Sequence, residues 1–270
     1  MEGKIISDEA GKAVNNLIDK LAQCAGWIAT RETPNKIAID TYIKEIQESN
    51  LDPLTKAAFI SNARKIIKEY SNQTKIIENA SKYIEENGSP EKVDEDWISS
   101  FMDKAKLVSS DEFQQILGKI MAVECNTPNS IPKGLLHILT QMDRDDAKAF
   151  AILCAMTISS DIESAPVINN DKLDDYGKYG ISFDTLVNLS ALGLIQVNLD
   201  PVGTGYAIET RENPARIKYF DENRLFYGGV KYVRVGCALY TKAGQALYKA
   251  MQVEKIEGFW EEFCLPLWDE

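Results

Sequence analysis

From Lys12 to about residue 158 the apolar residues return every three or four positions, and after Asp171 they begin to alternate. The first period is that of an α-helix burying one face, the second that of a strand half sunk in a sheet. The sequence therefore predicts a mainly α protein with a small α+β part, a helical N-terminal region followed by a C-terminal winged-helix-like module. Residues 1–90 read as a long helix or helical hairpin, 91–158 as a second helical stretch, and 159–270 as the module with an aromatic, acidic tail.

Along the first region, Val14, Leu17, Ile18, Leu21, Ala25 and Ile28 form one helical stripe that ends near Trp27. A helix with a terminal tryptophan can lie in a lipid interface, but its polar face here is mixed and not lysine-rich, so packing in a helical core is expected. A second helix follows Thr33-Pro34, and Asp52-Pro53 opens a third that runs through Phe59, Ile66 and Tyr70 towards Ile84. Asn87-Gly88-Ser89-Pro90 breaks the pattern.

Beyond the break, Asp94 to Asp96 precede Trp97 and Phe101, one helical turn apart, with Asp96 placed to cap. Ser109 and Glu112 have the capping-box spacing, ahead of the stripe Phe113, Ile116, Leu117, Ile120 and Met121. Pro128 to Pro132 interrupt again. The residues Met142 to Asp146 then cap a helix carrying Phe150 and Cys154.

After Asp171 two short helices, 173–179 and 182–192, precede strands at 194–199, 206–210 and 231–239 and a last helix from Thr241. Val202-Gly203-Thr204-Gly205 reads as a hairpin turn between strands. Short helices, a strand, a hairpin and a closing helix are the order of a winged-helix-like module.

Charge is distributed in blocks. The chain carries 30 Lys plus Arg against 41 Asp plus Glu, a formal charge of -11. Residues 201–250 nevertheless hold eight basic side chains and only four acidic ones, between two acidic stretches. An acidic protein repels phosphate backbones at long range, which confines any nucleic-acid contact to that strip.

No apolar run approaches the roughly 18 residues of a membrane span, and Met1 to Glu9 lack the basic start and apolar stretch of a signal peptide. A cytoplasmic location is expected. The five scattered cysteines (Cys24, Cys125, Cys154, Cys237, Cys264) and the single histidine, His137, form no ligand spacing, so neither metal nor cofactor is expected.

Four stretches, taken together, resemble a known family: Val93 to Trp97, Ser109 to Gln115, Lys119 to Glu124, and Pro128 to Pro132 followed by Asp145-Asp146-Ala147 and Phe150. Their order and spacing are similar to those of an uncharacterised bacterial domain of unknown function, number twenty-eight hundred and six. Two positions depart from its pattern, Ile116 standing for a tryptophan and Asn129 for a glycine. The resemblance implies a cytoplasmic helical protein of bacteria or their mobile elements, similar in layout to abortive-infection-type phage-resistance proteins. It attaches no reaction to that layout.

As signature residues, Asp94, Asp96, Trp97, Ser109, Glu112, Glu124, Pro128, Asp146 and Phe150 read as structural. Asp94, Asp96 and Glu124 could instead gather around a divalent cation, the basis of a metal-dependent enzyme. No nucleophile or phosphate-loop motif occurs. Arg211, Arg216, Lys218, Lys231 and Arg234 are the candidate nucleic-acid contacts of a winged-helix regulator, yet the helix that would enter the groove holds Asp184 and no cation. Trp260, Phe263 and Trp268 must either fold back or meet a partner. The sequence thus points to a non-enzymatic interaction protein of a bacterial or prophage phage-defence system, with a protein partner or a second copy of itself. A DNA-binding regulator using the strip 211–234 and the metal-dependent enzyme are the alternatives.

Overall fold

A computed structural model of the protein describes residues 11–27, 36–198 and 205–269. The N-terminal segment examined for a leader, the Thr33-Pro34 break and the turn at Val202-Gly203-Thr204 lie outside the described residues. The chain divides into two compact units, Met1–Leu136 and His137–Glu270. It is about 59% helical with 13% strand, with a helical N-terminal part and the strands in the C-terminal part. Among the described residues no helix is long and apolar enough to cross a membrane.

The first unit is helical because its apolar stripes find one another. Helix α1 (Lys12–Ala25) buries Ala13, Val14, Leu17 and Leu21 and stops at Gly26, whose left-handed φ of 63° lets its N–H reach the Leu21 carbonyl. Trp27 is 4% exposed and stacks on Tyr70 with ring centroids 6.1 Å apart, so the lipid-facing alternative for this tryptophan does not hold. Helix α2 (Lys36–Glu48) leads to α3 (Pro53–Ser81), where Asp52 accepts from the N–H groups of Leu54 and Thr55 and Pro53 fills the first turn. Only the second half of α3 is buried, through Asn72, Thr74, Ile76, Ile77 and Ala80.

Helix α4 (Glu95–Ala105) presents Trp97, Ile98, Phe101, Met102 and Ala105 to this core. Helix α5 (Asp111–Asn126) lies along the buried half of α3. A Cβ on Gly118 would stand 2.6 Å from the Asn79 Cβ and 3.0 Å from the Ala80 nitrogen, so glycine is what lets the two backbones approach. The expected box of Ser109 with Glu112 does not form. Ser110 occupies the cap position without a side-chain bond, and the Ser109 hydroxyl accepts from Asn72 Nδ2 instead. Asn72 also donates to the Lys106 carbonyl and accepts from Gln114, a buried polar pair that helical periodicity treats as apolar positions. Helix α6 (Lys133–Gln141) follows.

In the second unit α7 (Arg144–Ala155) begins with a true capping box, Asp143 with Asp146. It ends before residue 158, because Thr157 already belongs to a strand. Strands β1 (Thr157–Ser159) and β2 (Ser164–Pro166) pair antiparallel, and β1 also pairs with β5 (Ala215–Tyr219), which pairs in turn with β6 (Glu222–Phe226). The last hairpin has no counterpart in the sequence reading. Its turn residue Phe220 has a φ of 50°, a left-handed conformation usually signalled by glycine or asparagine.

The 3-10 stretch Asn170–Tyr179 and α8 (Phe183–Ala191), capped by Ser182, precede β3 (Ile195–Val197). The single strand expected at 231–239 is two. Strand β7 (Tyr232–Gly236) pairs with β4 (Tyr206–Glu209), while β8 (Ala238–Tyr240) pairs with β3. The break is at Gly236, whose φ is 102° and where a Cβ would come within 1.9 Å of the Ile168 carbonyl oxygen. Helix α9 (Lys242–Ala250) is capped by Thr241. A π-turn, Trp260–Cys264, and the short α10 (Leu265–Asp269) close the unit.

Candidate functional site

The polar residues of the signature are occupied by the local backbone. Asp94 accepts from the Trp97 N–H at 2.9 Å as the cap of α4, and Lys133 Nζ lies 2.9 Å from Asp94 and 3.7 Å from Asp96. The lysine hydrogen bond and that cap hold the Asp94 carboxyl below its usual range. The cap is Asp94, not Asp96. Trp97 is buried and stacked on Phe101 at 5.1 Å. Glu112 stands in the exposed first turn of α5.

Glu124, 1% exposed, accepts from the N–H groups of Asn129 at 2.6 Å and Ile131 at 2.8 Å. It thereby closes the loop that carries Pro128. Burial pushes its carboxyl above the usual carboxylate value, against these bonds. In the second unit Asp146 completes the capping box of α7 and also accepts from Asn188 of α8. Phe150 is fully buried beside Tyr240.

The acidic residues are therefore not brought together. Glu124 belongs to its loop and Asp94 and Asp96 to Lys133, and among the described residues no three acid, His or Cys side chains form a metal-sized group. His137 is exposed, its Nε2 3.1 Å from the Gln141 side chain. Cys125, Cys154, Cys237 and Cys264 are buried, and burial pushes the thiols of Cys125 and Cys154 up to about 12. Such thiols are packing groups at neutral pH.

The basic strip is divided between two sheets. Arg216 and Lys218 occupy the exposed positions of β5, while Lys231 precedes β7 and Arg234 lies on it, all four solvent-facing. Arg211 stands 4.0 Å from Glu209, and its backbone N–H bonds to Asp161. Arg224 is tied to Asp269 at 2.6 Å and lies over the rings of Phe226 and Trp268.

The aromatic tail is folded onto its own unit. Trp260 and Phe263 are 5% and 3% exposed, Phe263 packs 4.4 Å from Tyr176, and Trp268 donates its indole N–H to the Arg234 carbonyl. Of the two outcomes open for these side chains, folding back or meeting a partner, Trp260 and Phe263 have folded into the core and Trp268 is half-buried. Sequence reasoning also passed over a cavity of about 520 Å³ in this unit, lined by Ser159, Lys218, Phe220, Tyr248, Lys249 and Met251 among others.

These caps, the Glu124 loop and the buried Trp97 and Phe150 fall within residues 61–264, which match the model of a family described as protein of unknown function, DUF2806. The chain belongs to the DUF2806 family. The match spans both units, so the DUF2806 pattern covers the helices that carry the signature as well as the strands. No curated protein and no solved structure matches this DUF2806 chain.

Proposed function

We propose that this DUF2806 protein acts by binding another macromolecule, without catalysis, as a component of a bacterial or prophage phage-defence system. The observation that carries the reading is an apolar stripe left exposed on the first half of α3, beside the contact that α3 makes with α2. Phe59 and Ile66, two helical turns apart on one face, are 47% and 55% exposed, and no residue of α3 before Asn72 is buried. An apolar stripe left in water beside a well-packed core is the usual mark of a docking surface. The structural duties of Asp94, Glu124 and Asp146 support the same reading, because these three signature acids are engaged in a helix cap, a loop closure and a capping box.

A photo-crosslinking residue in place of Ile66 tests it in the producing cell. It is expected to capture one defined protein, or a second copy of the chain, while the same residue at Lys68 on the opposite face captures none. Loss of the gene is expected to change phage plating, and Phe59→Glu/Ile66→Glu to reproduce that loss. No crosslink from position 66, or unchanged plating, would overturn the reading.

A winged-helix identity for the second unit is the finer form of the fold reading. It is supported by the order α7, α8, β3, β8, α9, with β3 and β8 paired, while the strands between them divide into the β4–β7 pair and the β5–β6 hairpin that joins the β1 sheet. The outward face of α8 carries Phe183, Asp184 and Val187 and no cation, which favours a protein over DNA as its ligand. The DNA-binding alternative rests on solvent-facing Arg216, Lys218, Lys231 and Arg234. It requires a duplex shift at moderate salt that is lost on reversing Arg216, Lys231 and Arg234.

A further inference from the structure

The cavity in the second unit is lined without a carboxylate, unlike most of the surface of this acidic chain. Its wall is the β1–β5 sheet face, the last turn of α9 and the extended residues after it. Ser159 is the direct cross-strand partner of Lys218, which puts both side chains on one face, and the Ser159 hydroxyl lies 2.7 Å from that of Ser164, with Tyr248 on the same lining. Lys249 follows Tyr248 on the same wall. No acidic side chain lines the cavity, and neither Lys218 nor Lys249 has an ion-pair partner among the described residues. Lys255, only a few residues on, shows the contrast, since it is held by both Asp221 and Glu222.

Two ammonium groups without an ion-pair partner among the described residues, on one lining with the Tyr248 hydroxyl and with Ser159, whose hydroxyl shares its bond with Ser164, make a site for an oxyanion of more than one negative charge. The lining also has apolar members, Phe220, Met251 and Val253. Phe220, 46% exposed, sits in a left-handed turn with its ring set edge-on to Tyr219 at 5.0 Å. An aromatic residue kept in that strained conformation and half in solvent is a ready platform for a flat ring. The volume, about 520 Å³, suits a small ligand and excludes a duplex.

We propose that this cavity binds a nucleoside 5′-phosphate, free or at the end of a strand. Lys218 and Lys249 take the phosphate, the Ser159 and Tyr248 hydroxyls bond it, and Phe220 stacks on the base. The proposal is independent of the docking surface on α3.

Titration calorimetry on the full chain tests it, with AMP, GMP, CMP and UMP as probes and with inorganic phosphate and adenosine as controls. At least one nucleotide is expected to bind about tenfold more tightly than either control, because both halves of the site are then used. Lys218→Glu/Lys249→Glu is expected to abolish that binding, and Phe220→Ala to reduce it to the level of phosphate. Both lysines are exposed, so an unchanged melting midpoint serves as the folding check. A 5′-phosphorylated oligonucleotide binding more tightly than its 5′-hydroxyl form and than the free nucleotide would place the ligand at a strand end. The reverse order would make it a free nucleotide. No heat with any of the four nucleotides, or equal affinity in the lysine double variant, would overturn the proposal.

Discussion

Glu124 accepts the backbone N–H of Asn129 at 2.6 Å, and Asn129 makes that contact with a φ of 68°. One buried carboxylate thus holds a left-handed residue in place and turns the chain from α5 into α6. This is the position at which the family pattern, as the resemblance gave it, carries glycine. Glycine takes a left-handed φ without cost and asparagine at little cost, so the departure keeps the conformation.

Asn129→Gly should therefore be neutral or slightly stabilising, whereas Asn129→Val should cost about 1–2 kcal/mol through the strained φ. Urea denaturation of both variants checks the order. Equal stabilities would show that the loop does not depend on this conformation.

Glu124→Ala removes the acceptor of the Asn129 and Ile131 N–H groups and should cost about 1–3 kcal/mol for buried donors left unpaired. Its pH dependence has a definite sign. Burial raises the folded-state value of this carboxyl, so the folded chain holds its proton more tightly than the unfolded chain. The stability from that shift is fully present below the ordinary glutamate value and is lost as pH rises through the raised one. The gap between wild type and Glu124→Ala should be wider at about pH 5 than at about pH 8. Denaturation at the two pH values checks this.

Gly118→Ala should destabilise the first unit by about 1–3 kcal/mol, because the added methyl meets backbone atoms of α3 that cannot turn away. The Asn79 Cβ would be 2.6 Å from it. The same change at Gly134, where a Cβ meets nothing within 4 Å, is the control and should be nearly silent.

Phe263→Ala should cost about 3–5 kcal/mol, as for a large aromatic removed from a core. Its ring is 3% exposed and contacts Tyr176, Tyr179 and Phe259. Truncation before Phe259 should leave the second unit unable to fold, seen as loss of its cooperative melting transition.

The legible parts of the fold are those written in local patterns. The stripe of α5 and the Asp143 to Asp146 cap follow from spacing and turn chemistry, whereas the break at Gly236 that separates β7 from β8 lies inside an alternation that reads as one strand. The hairpin β5–β6 was hidden in plain alternation. Ala215, Arg216, Ile217, Lys218 and Tyr219 alternate buried and exposed, but the exposed members are cations and drew attention as a charge strip, and the Phe220 turn carries no glycine. A structural role for Glu124 is legible in the sequence, but its partners are not, because they are backbone N–H groups, which every residue type shares. The cavity was invisible for a related reason: Ser159, Lys218 and Tyr248 meet only through strand register and helix placement.

The most direct test of the central claim is the native mass by size-exclusion chromatography with light scattering, for wild type and Phe59→Glu/Ile66→Glu recovered gently from the producing cell. The account predicts a wild-type complex heavier than a single chain, either with a defined partner or with a second copy, and a variant that elutes folded at the mass of one chain. A wild type that elutes at the mass of one chain, or a variant that keeps the wild-type complex, would contradict it.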